Sequence, residues 1–183
     1  MYDYVRHVPH FEKMLYDQAQ LLSLYSEAYA LTDNDMFAQA ARDIIKYITG
    51  NLMDNETGAF FSAEDADSLP TADAKHKLEG AFCVWTMDEL VKHLGPEGAE
   101  MFAFAYGVKH EGNVPSNVDI QGELKEKNVL YVAETNPDIA KKYNLTNEEV
   151  QAKLEDFKKL LASIRKNRPS PHKDDKVFSC ITF

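Results

Sequence analysis

The chain has 183 residues, 44% of them apolar, enough for one ordinary domain with a packed core and too many for wholesale disorder. A formal net charge of −10 excludes the basic face that non-specific nucleic-acid binding needs, and argues equally against an anionic membrane surface. No apolar run approaches the roughly 20 residues that span a bilayer.

Met1–His7 has no basic stretch leading into an apolar run, so it does not read as a secretory signal, and a cytoplasmic location is the default expectation. Cys83 and Cys180 have no partner at metal-ligand spacing. They imply a reducing compartment, with Cys83 read as a small buried apolar residue.

In chain order, Phe11, Leu15, Gln18, Leu22, Tyr25 and Tyr29 recur at helical steps and predict a helix over about Phe11–Leu31, entered after Pro9. Thr32-Asp33-Asn34 interrupts it with N-cap chemistry. A second helix follows over about Asp35–Leu52, with Phe37, Ala40, Ala41, Ile44, Ile45 and Ile48 on one face. So short a connection makes an antiparallel αα-hairpin. Asp54–Gly58 is a turn sequence, Ala59–Ser62 is strand-like, and Glu64-Asp65-Ala66-Asp67 is an acidic loop. Gly80–Trp85 is a second strand-like run that could pair with the first as a small ribbon.

Thr86 and Glu89 form a capping box for a helix that stops near Gly95; another runs from Pro96 to Tyr106 and is stopped by Gly107. Gly112–Gly122 is loop, Asn128–Val132 is extended, and Asn136-Pro137 opens a brief helix. Thr146 and Glu149 form a second capping box. It begins a long helix with Val150, Leu154, Phe157, Leu161 and Ile164 on one face, Arg165 and Lys166 in its last turn, and Pro169 and Pro171 beyond. The local signals predict a mainly α protein with small β ribbons. The apolar segment Ser179–Phe183 is of the kind normally docked on something, and predicts a missing neighbour.

Six ordered strings carry a resemblance: Val8–Ala19, Phe61–Ser68, Glu79–Thr86, Gly122–Leu124, Asn128–Leu130 and Arg168–Lys176. Together they resemble the spermatogenesis-associated protein 20 family and its bacterial and archaeal relatives, over about residues 8–180. The resemblance implies a thioredoxin-like N-terminal domain followed by a helical toroid, similar to those of N-acylglucosamine 2-epimerase and the six-hairpin glycosidases. This chain resembles the first part of that toroid only. Arg6 stands where the family has a tryptophan, and Ile181–Phe183 stand where it continues into a Trp-Asn-Gly run.

The expectation is therefore a single partial domain over residues 1–183: helical hairpins from an incomplete (α/α)6 toroid with a small inserted β ribbon. Thioredoxin chemistry is not carried over. The family-level expectation for function is a carbohydrate-related, epimerase- or glycosidase-like activity of the longer protein, against a non-catalytic scaffold or an inactive remnant. The isolated chain is not expected to be an active enzyme.

Glu64, Asp65 and Asp67 are candidate catalytic residues, because sugar chemistry commonly uses two carboxylates, one giving a proton and one accepting it or attacking carbon. A solvated acidic turn, a set of caps, or calcium binding at a spacing unlike an EF-hand are the alternatives. His10, Glu12, Lys13, Tyr16 and Asp17 are candidate substrate-binding residues. On a helix, Lys13 shares a face with Asp17 and Glu12 with Tyr16, while His10 sits at the entrance. The bland reading is a surface ion pair and a cap. His172, Asp174 and Asp175 are further candidate substrate-binding residues, since a His near two carboxylates can be a base or a metal ligand, against a loop that holds Arg168 or Lys176 in place. Trp85 could stack on a sugar ring, although such a residue is more often core. No metal or cofactor is expected. The expected partners are a carbohydrate or other small molecule in the longer protein and, through uncovered apolar helix faces, other copies of the chain.

Overall fold

The computed structural model describes residues 8–119 and 121–176; Arg6, the leader reading of Met1–His7, Cys180 and the apolar segment Ser179–Phe183 lie outside the described residues. The helices are α1 (Leu15–Thr32), α2 (Asp35–Tyr47), α3 (Met87–Tyr106), α4 (Asn136–Tyr143) and α5 (Asn147–Arg165). Among the described residues, five strands of two residues each accompany them: β1 (Lys13–Met14), β2 (Ala63–Glu64), β3 (Asp67–Ser68), β4 (Leu78–Glu79) and β5 (Lys173–Asp174). β1, β2 and β5 form an antiparallel sheet in that order, and β3 pairs with β4. The protein is thus mainly α with small β ribbons. None of its described helices is long and apolar enough to cross a membrane. The packing divides into two compact units, one within His10–Asp67 and the chain after Ser170, the other within Ser68–Ser170.

In the first unit α1 and α2 form the expected hairpin. Asp33 takes the left-handed conformation and its N–H reaches Tyr29 O, closing α1, while the Asn34 side chain accepts the Met36 N–H and opens α2. Tyr25 stacks on Phe37 with ring centroids 6.1 Å apart. Leu15, Ile48 and Leu52 make the core, with Ile44, Tyr47 and Phe60 against it.

Two elements differ from the sequence expectation. α1 starts at Leu15, four residues after Phe11, because Lys13 and Met14 pair with Glu64 and Ala63, and the Leu15 N–H donates to Ser62 O at 2.9 Å. The backbone stays extended until those bonds are made. α2 ends at Tyr47 and widens into a single π-helical turn, Ile48–Leu52, that contains Gly50. The suggested ribbon between Ala59–Ser62 and Gly80–Trp85 is corrected: Phe60 bridges Met53 and Trp85 bridges Asn128, so each run finds its partner elsewhere.

In the second unit both capping boxes form, Thr86 with Glu89 and Thr146 with Glu149. The two helices predicted around Gly95 run on as α3, kinked where Gly95 adopts φ 72°. Gly107 caps α3 at φ 67°, and a Cβ there would lie 2.4 Å from the Tyr131 ring, so any other residue must displace that ring as well as take a left-handed conformation. Trp85, Leu90, Phe102, Ile139, Val150, Leu154 and Leu161 belong to the core. Two buried asparagines hold the loops beneath it. Asn128 accepts the Lys109 N–H and donates to Trp85 O and Lys109 O; Asn113 accepts the Val129 N–H and donates to Gly107 O and Val129 O.

Candidate functional site

β2 is the middle strand of the first unit's sheet, so its residues have partners on both sides. Glu64 stands directly opposite Lys13 on β1 and Lys173 on β5. Directly opposed residues share a face of the sheet, so Lys13, Glu64 and Lys173 stand in one row across it. Glu64 is only 7% exposed. Its Oε2 accepts the Tyr47 phenol at 2.6 Å, which ties the end of α2 to the ribbon. The Lys13 Nζ donates to Phe11 O at 2.6 Å, and the Lys173 Nζ lies 5.9 Å from the centroid of the Phe61 ring.

The remaining candidates are placed as follows. The Asp65 carboxylate accepts the Asp67 N–H at 3.1 Å and its own N–H donates to His172 O at 2.8 Å, an arrangement that shapes the acidic loop. Asp67 is half-buried and His172 exposed. Asp174 accepts the Lys176 N–H and the Lys176 ammonium, each at 3.2 Å, and these bonds hold its carboxyl below the usual carboxylate range. Asp175 is exposed. Of the charges after Arg168, Asp174 thus holds Lys176.

His10 and Glu12 precede β1 and are exposed; Tyr16 and Asp17 lie in the first turn of α1 and are exposed too. The helical pairings Lys13–Asp17 and Glu12–Tyr16 are corrected, since Lys13 is in β1 and Glu12 comes before it. Nor does His10 cap α1: its N-cap is Met14, with no side-chain cap bond. No group of three or more His, Cys, Asp or Glu side chains that could hold a metal gathers among the described residues.

Trp85 lies in the core of the second unit, 2% exposed, with the Arg168 guanidinium 4.0 Å from its ring centroid. Sequence reasoning named Arg168 only as a cation that the charged loop after it could hold, not as the centre of a polar cluster. Its Nη1 donates to Val84 O at 2.7 Å and Phe82 O at 3.2 Å, and its Nη2 to Glu89 Oε1 at 3.0 Å. Burial lowers the Arg168 pKa from its ordinary value, and the Glu89 charge opposes that shift. Tyr47 was missed, and nothing in its local pattern marks it. Arg168 did carry a signal, as the first residue of the last recognised string.

Those strings acquire a physical meaning. In the first unit, Val8–Ala19 supplies Lys13, Phe61–Ser68 supplies Glu64, and Arg168–Lys176 supplies Lys173. In the second, the Glu79 N–H donates to Glu123, Trp85 bridges Asn128, and Arg168 binds the carbonyls between Gly80 and Trp85. Each unit gathers its recognised strings into one polar centre.

A hairpin of helices, a three-stranded ribbon and a second small helical unit define a mainly α protein with one polar centre in each unit. Such a chain matches part of spermatogenesis-associated protein 20. It is 39% identical over 183 residues to the protein of that name from Mus musculus, covering 94% of this chain and 23% of the mouse protein. The Homo sapiens protein gives 39% identity with the same coverage. An uncharacterized protein of Caenorhabditis elegans is 40% identical over 179 residues, 93% of this chain and 24% of its own length. The chain therefore spans less than a quarter of the length of these curated relatives. No family model matches it.

Proposed function

We propose that the chain contributes a binding subsite for a polar, hydroxyl-rich small molecule of carbohydrate type to a longer, helical-hairpin protein similar to spermatogenesis-associated protein 20. The α1–α2 hairpin is the kind of unit from which an αα toroid is built, and the ribbon is its insertion. The observation that carries the reading is the row Lys13, Glu64, Lys173 with the Tyr47 phenol on the carboxylate. Three recognised strings are used to assemble it. The subsite binds and orients; no bond-breaking step is assigned to it.

A second reading is a scaffold in which the same groups only tie elements together. The burial of Glu64 favours that reading. Calorimetric titration of the full chain with neutral hexoses separates the two. Weak saturable binding, lost in Glu64→Gln, supports the subsite. Heats that match buffer dilution at every sugar, with a Glu64→Gln chain that is merely less stable, would leave the scaffold standing.

A further inference from the structure

In the second unit, the C-terminal half of α3, the end of α4 and the chain around Tyr131 line an open groove of about 510 Å³. That lies within the roughly 300–1,000 Å³ of small-molecule sites. Glu100, Glu134, Lys109, His110 and Lys142 all line it. Among the described residues, none of these five side chains makes an ion pair or a hydrogen bond. The Lys142 ammonium rests instead on two rings, 3.4 Å from the Phe104 centroid and 5.5 Å from that of Tyr143. Opposite charges that share a groove and leave each other unpaired are complementary to a ligand that brings both signs.

Spacing narrows the class. Glu100 and Phe104 are four residues apart on α3, so their Cβ atoms are neighbours at about 5–6 Å, and Lys142 sits over the Phe104 ring. A gap of one helical turn suits an ammonium and a carboxylate carried on one carbon, each making a charge-assisted hydrogen bond. Rings surround it. Phe104 and Tyr143 meet edge to face at 6.3 Å, and the Tyr131 ring occupies the space that Gly107 leaves by having no side chain. They offer aromatic surface to a ring on the ligand. The rim is also held in place without a ligand: buried Asn128 binds both the N–H and the carbonyl of Lys109, and buried Asn113 binds Gly107 O.

We propose that this groove binds a zwitterionic α-amino acid with an aromatic side chain, its ammonium on Glu100, its carboxylate on Lys142 and its ring against Tyr131. The site is independent of the subsite proposed for the first unit.

Calorimetric titration of the full chain with L-phenylalanine tests it. Saturable binding is expected, weakened about tenfold or more in Glu100→Gln and likewise in Lys142→Met. Both residues are exposed, so the variants keep the fold, which circular dichroism checks. Phenethylamine keeps only the ammonium and hydrocinnamate only the carboxylate, and each should bind about tenfold or more weakly than the amino acid. Heats that match buffer dilution would overturn the proposal. So would either variant binding as the parent does, or either single-charge analogue binding as well as phenylalanine.

Discussion

Arg168→Ala should cost the second unit more stability than any other single polar substitution in it. The guanidinium donates to Val84 O at 2.7 Å and Phe82 O at 3.2 Å, pairs with Glu89 at 3.0 Å, and lies 4.0 Å from the Trp85 ring centroid. A hydrogen bond from a charged donor contributes about 1.5–3 kcal/mol. The Glu89 side chain is 39% exposed, so that pair is discounted to at most about 1 kcal/mol. The two short carbonyl bonds then dominate, and the expected loss is about 3–5 kcal/mol, because alanine leaves those carbonyls without a donor. Arg168→Lys keeps the charge but not the planar fork, and about half the loss is expected. Trp85 is the only tryptophan of the chain, so its fluorescence reports the transition from within the affected core. Urea titration with linear extrapolation gives the difference directly. A loss below about 1 kcal/mol for Arg168→Ala would show that the guanidinium is a bystander, and would refute the reasoning.

Tyr47→Phe removes the donor to a buried carboxylate, and a loss of about 1–2 kcal/mol is expected in thermal melts; an unchanged melting temperature would mean water replaces the phenol without penalty. Gly107→Ala should destabilise clearly more than Gly95→Ala. Both need positive φ, about 1–2 kcal/mol for a residue with a Cβ, but only at Gly107 does the new methyl meet a ring, and equal losses would contradict that geometry. The Asp54 carboxyl is held below its ordinary value, first by the Thr57 hydroxyl and then by the Glu56 N–H. A depressed folded pKa means the turn is stabilised above the unfolded value and loses that support as pH falls through the folded one. Carbon-13 titration of Asp54 should therefore show its midpoint moving up in Thr57→Val, and no movement would disprove the hydroxyl's role.

What was legible in the sequence was local. The capping boxes at Thr86 and Thr146, the break at Thr32-Asp33-Asn34 and the stop at Gly107 each lie within a few residues of their partners, and each forms as expected. The kink at Gly95 belongs with them. The ribbon was not legible, because β1, β2 and β5 are two-residue strands far apart in the chain, too short for alternation to show. That one omission displaced the start of α1 and the pairings built on it, since a helix over Phe11–Leu31 puts Lys13 beside Asp17 while the ribbon puts it beside Glu64. The six strings named Glu64, Lys13 and, within the last of them, Lys173, without saying that they meet. Tyr47 lies outside every string, and only the fold brings it to Glu64.

The central claim is that the row Lys13, Glu64, Lys173 with Tyr47 is a ligand subsite. Amide and side-chain carboxyl chemical shifts of the full chain, followed by NMR while a neutral hexose is added, test it most directly. The account predicts saturable shifts confined to Lys13–Met14, Ala63–Asp65, Lys173–Asp174 and Tyr47, and their absence in Glu64→Gln. A flat titration at these residues, or shifts only among residues 87–165, would contradict it.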